Sequence, residues 1–136
     1  MSSKTIYRLQ KYGTLLVLRA VVIGETGDPR VLRLLLDTGS SFTVLSATIL
    51  NEIGCQAASS TRRISIMAAG GVIQAPTLQV PSFNCLGQQV ENFGAIALDL
   101  PFNPLVNGLL GMDFLDRCNA IIDIKKSEIR VQTVPG

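Results

Sequence analysis

Apolar residues fall along this chain in short β-branched or leucine-rich runs, each bounded by turn residues. That texture predicts an all-β domain, because helices would repeat their apolar positions every three to four residues. Thr14 to Gly24 is the first long run. A turn at Gly27-Asp28-Pro29 follows, and Val31 to Leu36 answers it, so the two are expected to form a hairpin. Leu34-Leu35-Leu36 is apolar without alternation, as in a strand covered on both faces. After a short strand, Phe42 to Leu45, Ser46 is the candidate N-cap of a helix over Ala47 to Ile53. Ile49, Leu50 and Ile53 would share one face of that helix, and Gly54 would end it.

A second hairpin is expected from Arg63 to Ala69, Gly70-Gly71, and Val72 to Val80. Ile64 and Ile66 alternate there with Arg63 and Ser65, the period of a half-exposed strand. Leu86 to Leu98 reads as a further strand region. A loop containing Pro101 and Pro104 leads to Val106-Asn107-Gly108-Leu109-Leu110-Gly111, and Met112 to Cys118 suits a short helix with Phe114 and Leu115 inward. Ala120 to Ile124 and Ile129 to Val134 would close the chain as a hairpin around Lys126-Ser127. With no linker and no repeat, residues 14–136 read as a single domain. Residues 1–13 read as an N-terminal arm, a propeptide or a dimer-interface strand.

At 136 residues there is room for one core. Hydrophobic residues make up 47% and charged residues 16%, a balance that excludes disorder and is apolar enough to suggest surface buried against a partner. A net charge of +2, with Arg62-Arg63 and Lys125-Lys126 read as solvated strand edges, gives no reason to expect nucleic acid or an anionic membrane as partner. The best apolar stretch, Leu15 to Ile23, is short for a membrane span and carries Arg19. Met1 to Arg8 lacks the apolar core of a signal peptide. Cys55, Cys85 and Cys118 are odd in number and widely spaced, which suits reduced thiols and a cytoplasmic location. Histidine is absent, so Ser-His-Asp and Cys-His triads and histidine-ligated zinc are excluded within this chain. Acid–base chemistry falls to carboxylates, lysine, tyrosine or cysteine, and no metal or cofactor is expected.

Among the carboxylates, Asp37 stands out. It ends the apolar run Leu32 to Leu36, interrupted only by Arg33, and begins Asp37-Thr38-Gly39-Ser40. A carboxylate at the end of a buried strand is costly unless it is hydrogen-bonded or functional. Gly39 permits a sharp turn that brings backbone N–H groups to the carboxylate, and Thr38 and Ser40 offer hydroxyls. A bare Asp-x-Gly is more often an Asx-turn. The apolar strand before it and Ser41-Phe42-Thr43-Val44-Leu45 after it tilt the balance towards chemistry.

Leu35 to Ser46, together with Gly108-Leu109-Leu110-Gly111-Met112-Asp113-Phe114-Leu115 some 70 residues on, resembles the clan of pepsin and retroviral proteases. The tail, Ala120 to Lys126, is similar to the closing strands of the retroviral-like protease domain of eukaryotic DNA-damage-inducible proteins. The likeness runs over roughly residues 14–134. It implies a retropepsin-like closed β-barrel with one or two short helices, working as a two-fold homodimer. Asp37 would be the catalytic aspartate, Thr38 would lock two catalytic loops together, and Ser40 would hydrogen-bond the aspartate's outer oxygen. Residues 64–80 would form a flap, with Ala68, Ala69, Gly70 and Gly71 at its tip. Pepsin-like enzymes carry a flap tyrosine. Here Tyr7 and Tyr12 both lie near the N-terminus, so the flap is closer to the retroviral type.

Aspartic proteolysis uses two carboxylates that share a proton around one water, and this chain has one Asp-Thr-Gly. Asp99, Asp113 and Asp123 are not followed by Thr/Ser-Gly and suit capping or surface roles. The second carboxylate would come from a second copy on a two-fold axis. The substrate would be an extended polypeptide, with Ile66, Val72, Leu109, Leu110 and the 98–106 loop as apolar pocket walls and a preference for hydrophobic residues at the cut. A catalytically silent dimeric peptide-binding module of the same fold is the alternative, and a structural monomer is a third. A Ser40 or Ser41 nucleophile lacks a nearby lysine, and the apolar settings of Cys85 and Cys118 favour inert burial.

Overall fold

The computed structural model describes residues 3–56, 62–68, 70–99 and 105–133. Leucine and valine runs become strands that put alternate side chains into one core, and paired strands then close on themselves. β3 (Leu15–Ile23) and β4 (Pro29–Leu36) are the expected antiparallel hairpin, with Val17 opposite Leu35 and Ala20 opposite Leu32. Even-numbered residues of both strands, among them Leu16, Leu18, Leu32 and Leu34, enter the main core. Leu35, on the other face, and Leu36, at the strand's end, are only half-buried, so of the three leucines Leu34 alone is fully covered within this chain.

Beyond β5 (Val44–Leu45), α1 (Ala47–Glu52) starts where expected: Ser46 caps it by accepting from the Ile49 N–H at 3.2 Å, and Gly54 follows at φ +87°. Leu50 and Ile53 are buried beneath it. β6 (Arg63–Ala68) pairs with β7 (Gly71–Cys85), and β7 pairs with β8 (Gln88–Ala97). The strand expected from Leu86 begins instead at Gln88. Leu86 and Gly87, at φ +52° and +73°, form the two-residue turn between β7 and β8. Positive φ at both central positions matches the right-handed strand twist, and burial of the Leu86 side chain helps hold a residue type that rarely adopts it.

β9 (Gly108–Leu110) leads into α2 (Met112–Arg117), with Phe114 and Leu115 buried as expected. β10 (Ile121–Asp123) and β11 (Glu128–Thr133) are the closing hairpin. The N-terminal segment supplies β1 (Ser3–Arg8), paired along its length with β11, and β2 (Gln10–Tyr12), paired with β3. The larger sheet runs β2-β3-β4-β9-β5-β8-β7-β6, and a further β3–β7 pairing closes six of its strands into a ring. Phe83, Phe93 and Phe114 fill that ring, with Phe83 stacked on Phe93 at 4.5 Å between centroids and Phe114 edge-on to both. This is the closed all-β barrel with two short helices that the sequence implied. Among the described residues, no helix is long and apolar enough to cross a membrane.

Candidate active site

Two strands converge on residues 37–43. β4 runs parallel to β9, with Leu36 opposite Leu110, while β5 runs antiparallel to the other edge of β9, with Val44 opposite Leu109. The chain therefore leaves β4, turns through Asp37-Thr38-Gly39-Ser40, and returns as β5 with β9 lying between the two arms. Such threading demands very close backbone approach, which explains two glycines. A Cβ on Gly108 would collide with the Val44 carbonyl, and one on Gly111 would sit 2.5 Å from the Phe42 carbonyl carbon and oxygen.

Backbone bonds stitch the loop to β9 and α2. The Asp37 N–H donates to the Leu110 carbonyl at 3.0 Å, and the Met112 N–H donates to the Ser40 carbonyl at 2.8 Å. Buried Thr43 ties the far side: its hydroxyl donates to Asp113 Oδ1 at 2.7 Å and accepts from the Gly111 N–H at 3.2 Å. The Thr43 N–H donates to Asp113 Oδ2 at 3.0 Å, and the Phe114 N–H donates to Asp113 Oδ1 at 2.8 Å. Thr43, Gly108, Gly111 and Asp113 are thus the scaffold of the loop. Sequence pattern marked the glycines and Asp113 without showing that Thr43 links them.

Asp37 is half-buried, and its Oδ1 accepts the Gly39 N–H at 2.9 Å. Thr38 and Gly39 are exposed. Ser40 differs from the expectation: its hydroxyl donates to the Phe42 carbonyl at 2.6 Å, so its single proton is directed into the loop rather than at Asp37. The other carboxylates singled out have structural employment, as expected. Asp99 accepts from the Ser46 and Thr48 hydroxyls at 2.7 and 2.8 Å and from the Thr48 N–H. These bonds, that from Ser46 foremost, hold its carboxyl below the usual range. Asp123 accepts the Lys126 N–H in the closing turn.

The flap positions divide by strand register. Ile66 pairs with Ile73 and Ile64 with Ala75 on one face of the β6–β7 hairpin, whereas Met67 pairs with Val72 on the other. Ile64, Ile66, Leu98 and Leu109 pack together around Val44, Ala75 and Ile96. Ile66 and Leu109 are therefore brought together beside β5. Leu110, fully buried in the main core, cannot form a pocket wall, while Val72, 62% exposed, lies on the face of the hairpin opposite Ile66. Both placements follow from the two-residue period, which separates neighbours along a strand. Ala68, Gly70 and Gly71 form the hairpin end, while Ala69 and residues 100–104 of the 98–106 loop lie outside the described residues.

No curated protein matches the sequence. Among solved structures, a retropepsin-like aspartic protease from Rickettsia conorii matches with a TM-score of 0.69 at 17% identity, over 100% of this chain and 95% of that one. The EIAV protease complexed with the inhibitor HBY-793 matches with a TM-score of 0.58 at 22% identity, over 86% of this chain and 97% of that one. These likenesses establish the retropepsin-like fold. The sequence pattern of the aspartyl protease family matches residues 21–114, a span that takes in the Asp-Thr-Gly loop, the hairpin and the β9–α2 scaffold. On that match, the chain belongs to the aspartyl protease family.

Proposed function

We propose that the protein is an aspartic endopeptidase whose active site is completed by a second copy of the chain, each copy contributing Asp37. One observation carries this reading. Asp37 is half-buried on a rigidly stitched loop, while Asp99, Asp113 and Asp123 are engaged in structural hydrogen bonds. A lone carboxylate is half of the chemistry. With the partner's Asp37 beside it, one carboxylate takes a proton from the attacking water and the protonated one polarises the scissile carbonyl. The proton then passes to the leaving amine as the tetrahedral intermediate collapses. Like charges so close are not both ionised at once, so the two carboxylates share one proton.

Support for a two-fold partner lies around the loop. Thr38 is exposed, Phe42 and Met112 are 46% and 41% exposed, and a groove runs from Thr38 past Met112 and Leu115 to Ile122. The substrate would be an extended polypeptide laid between the β6–β7 hairpin and the floor. Ile66 and Leu109 would favour hydrophobic residues at the cut, and Thr38 would join the two loops. The buried, unbridged cysteines suit a reducing compartment such as the cytoplasm. Incubation with an unbiased peptide mixture from about pH 3 to pH 7, beside an Asp37→Asn variant and read by mass spectrometry, tests the proposal. Cleavage by the wild type alone is expected. No cleavage by a folded wild-type dimer would point to a silent peptide-binding module.

A further inference from the structure

Away from Asp37, the outer face of the barrel carries two arginines in an unusual relation. Arg19 on β3 and Arg33 on β4 are direct cross-strand partners, so their side chains share a face one strand spacing apart. Like charges in that position repel. Neither guanidinium has an ion-pair or hydrogen-bond partner among the described residues, where Arg30 and Glu52 form the one salt bridge. Arg33 is half-buried, which makes its missing counter-charge more costly. Glu91, which shares the face, sits in the row of Ser82 and Ile23, two strands and four residues from Arg19, and makes no ion pair.

The surroundings have a definite polarity. The neighbouring row runs Gln89, Asn84, Val21, Val31 across β8, β7, β3 and β4. A groove of about 360 Å³ is lined by Arg19, Val21, Asn84, Gln88 and Gln89. The Asn84 amide donates to the Val21 carbonyl and to Ser82 Oγ, and the Gln89 amide also donates to Ser82 Oγ. With those donors turned inward, the amide carbonyl oxygens of Asn84 and Gln89 remain as acceptors beside two guanidinium donors and an apolar strip of Val21 and 61%-exposed Val31. A bare anion would use the arginines and leave the acceptors idle. A polypeptide segment brings backbone N–H groups for the acceptors and, if acidic, carboxylates for the arginine forks.

We infer that this face is a docking site for an acidic polypeptide segment, held by the Arg19–Arg33 pair and the amide row. The site is separate from the proposed chemistry, and an Asp37→Asn background keeps the probe intact. The experiment measures fluorescence anisotropy of labelled hexaglutamate with the full chain, beside labelled hexaserine and with inorganic phosphate as competitor. Hexaglutamate is expected to bind, hexaserine not, and binding should weaken as salt rises. An Arg19→Gln/Arg33→Gln variant should lose about tenfold or more in affinity, as expected for charge-assisted hydrogen bonds. Its melting temperature should hold or rise, because the repulsion has gone, whereas a merely structural pair would lower it. Undetectable hexaglutamate binding, equal binding by the variant, or displacement by phosphate at concentrations comparable to the peptide would each overturn the inference.

Discussion

Asp37 differs from its fellow carboxylates in what surrounds it. Asp113 takes three protein donors and anchors the loop, whereas Asp37 takes the Gly39 N–H. Asp113→Asn would set an amide NH₂ against donors, so denaturant unfolding should show a loss of about 1.5–3 kcal/mol. Stability within about 1 kcal/mol of wild type would contradict the anchoring role. At Gly111 the backbone φ of −97° suits any residue, and the obstacle is the Phe42 carbonyl. Gly111→Ala should therefore destabilise by about 1–3 kcal/mol through overpacking and shift the Asp37 loop. An unshifted melting temperature would show that the loop yields without cost. The sequence singled out Asp37 and assigned capping or surface roles to Asp99, Asp113 and Asp123. It did not disclose the direction of the Ser40 hydroxyl, which depends on a carbonyl two residues away becoming available once Phe42 crosses Gly111.

At the scale of elements, local signals worked where the deciding partner was close in sequence. Ser46 starts α1, Gly54 ends it, and the closing hairpin turns at the expected residues. The start of β8 was not legible, because a leucine carries the positive φ usually left to Asn, Asp or Gly. That Val72 and Ile66 lie on opposite faces was not legible either, because the face of Val72 is set by pairing with Met67. The α1 cap also reaches beyond its own segment, since the Ser46 hydroxyl donates to Asp99. Because Asp99 titrates below its ordinary value of 3.8 when folded, its ionised form stabilises the fold above that pH. The contribution fades as pH falls through the depressed folded-state value. Asp99→Asn should thus be less stable than wild type by a few tenths to about 1 kcal/mol near neutrality, the group being largely solvent-screened. Urea titrations should show the gap closing in acid. A gap that widens as pH falls would contradict the assignment.

Across the whole molecule, the pairings that make the barrel join distant segments: β1 with β11, β3 with β7, and β9 between β4 and β5. No local pattern encodes these partners. The all-β class was legible from run length and alternation, whereas the closed ring came only through family resemblance. The chain carries one Asp-Thr-Gly, so the central claim is that one active site needs two Asp37 residues. The direct measurement mixes a fixed amount of wild type with increasing Asp37→Asn chain, allows subunits to exchange, and follows peptide cleavage. Random pairing predicts that an equal amount of variant lowers total activity to about half, with further decline as variant is added. Activity unchanged by any excess of variant, with exchange confirmed, would mean that each chain cuts alone.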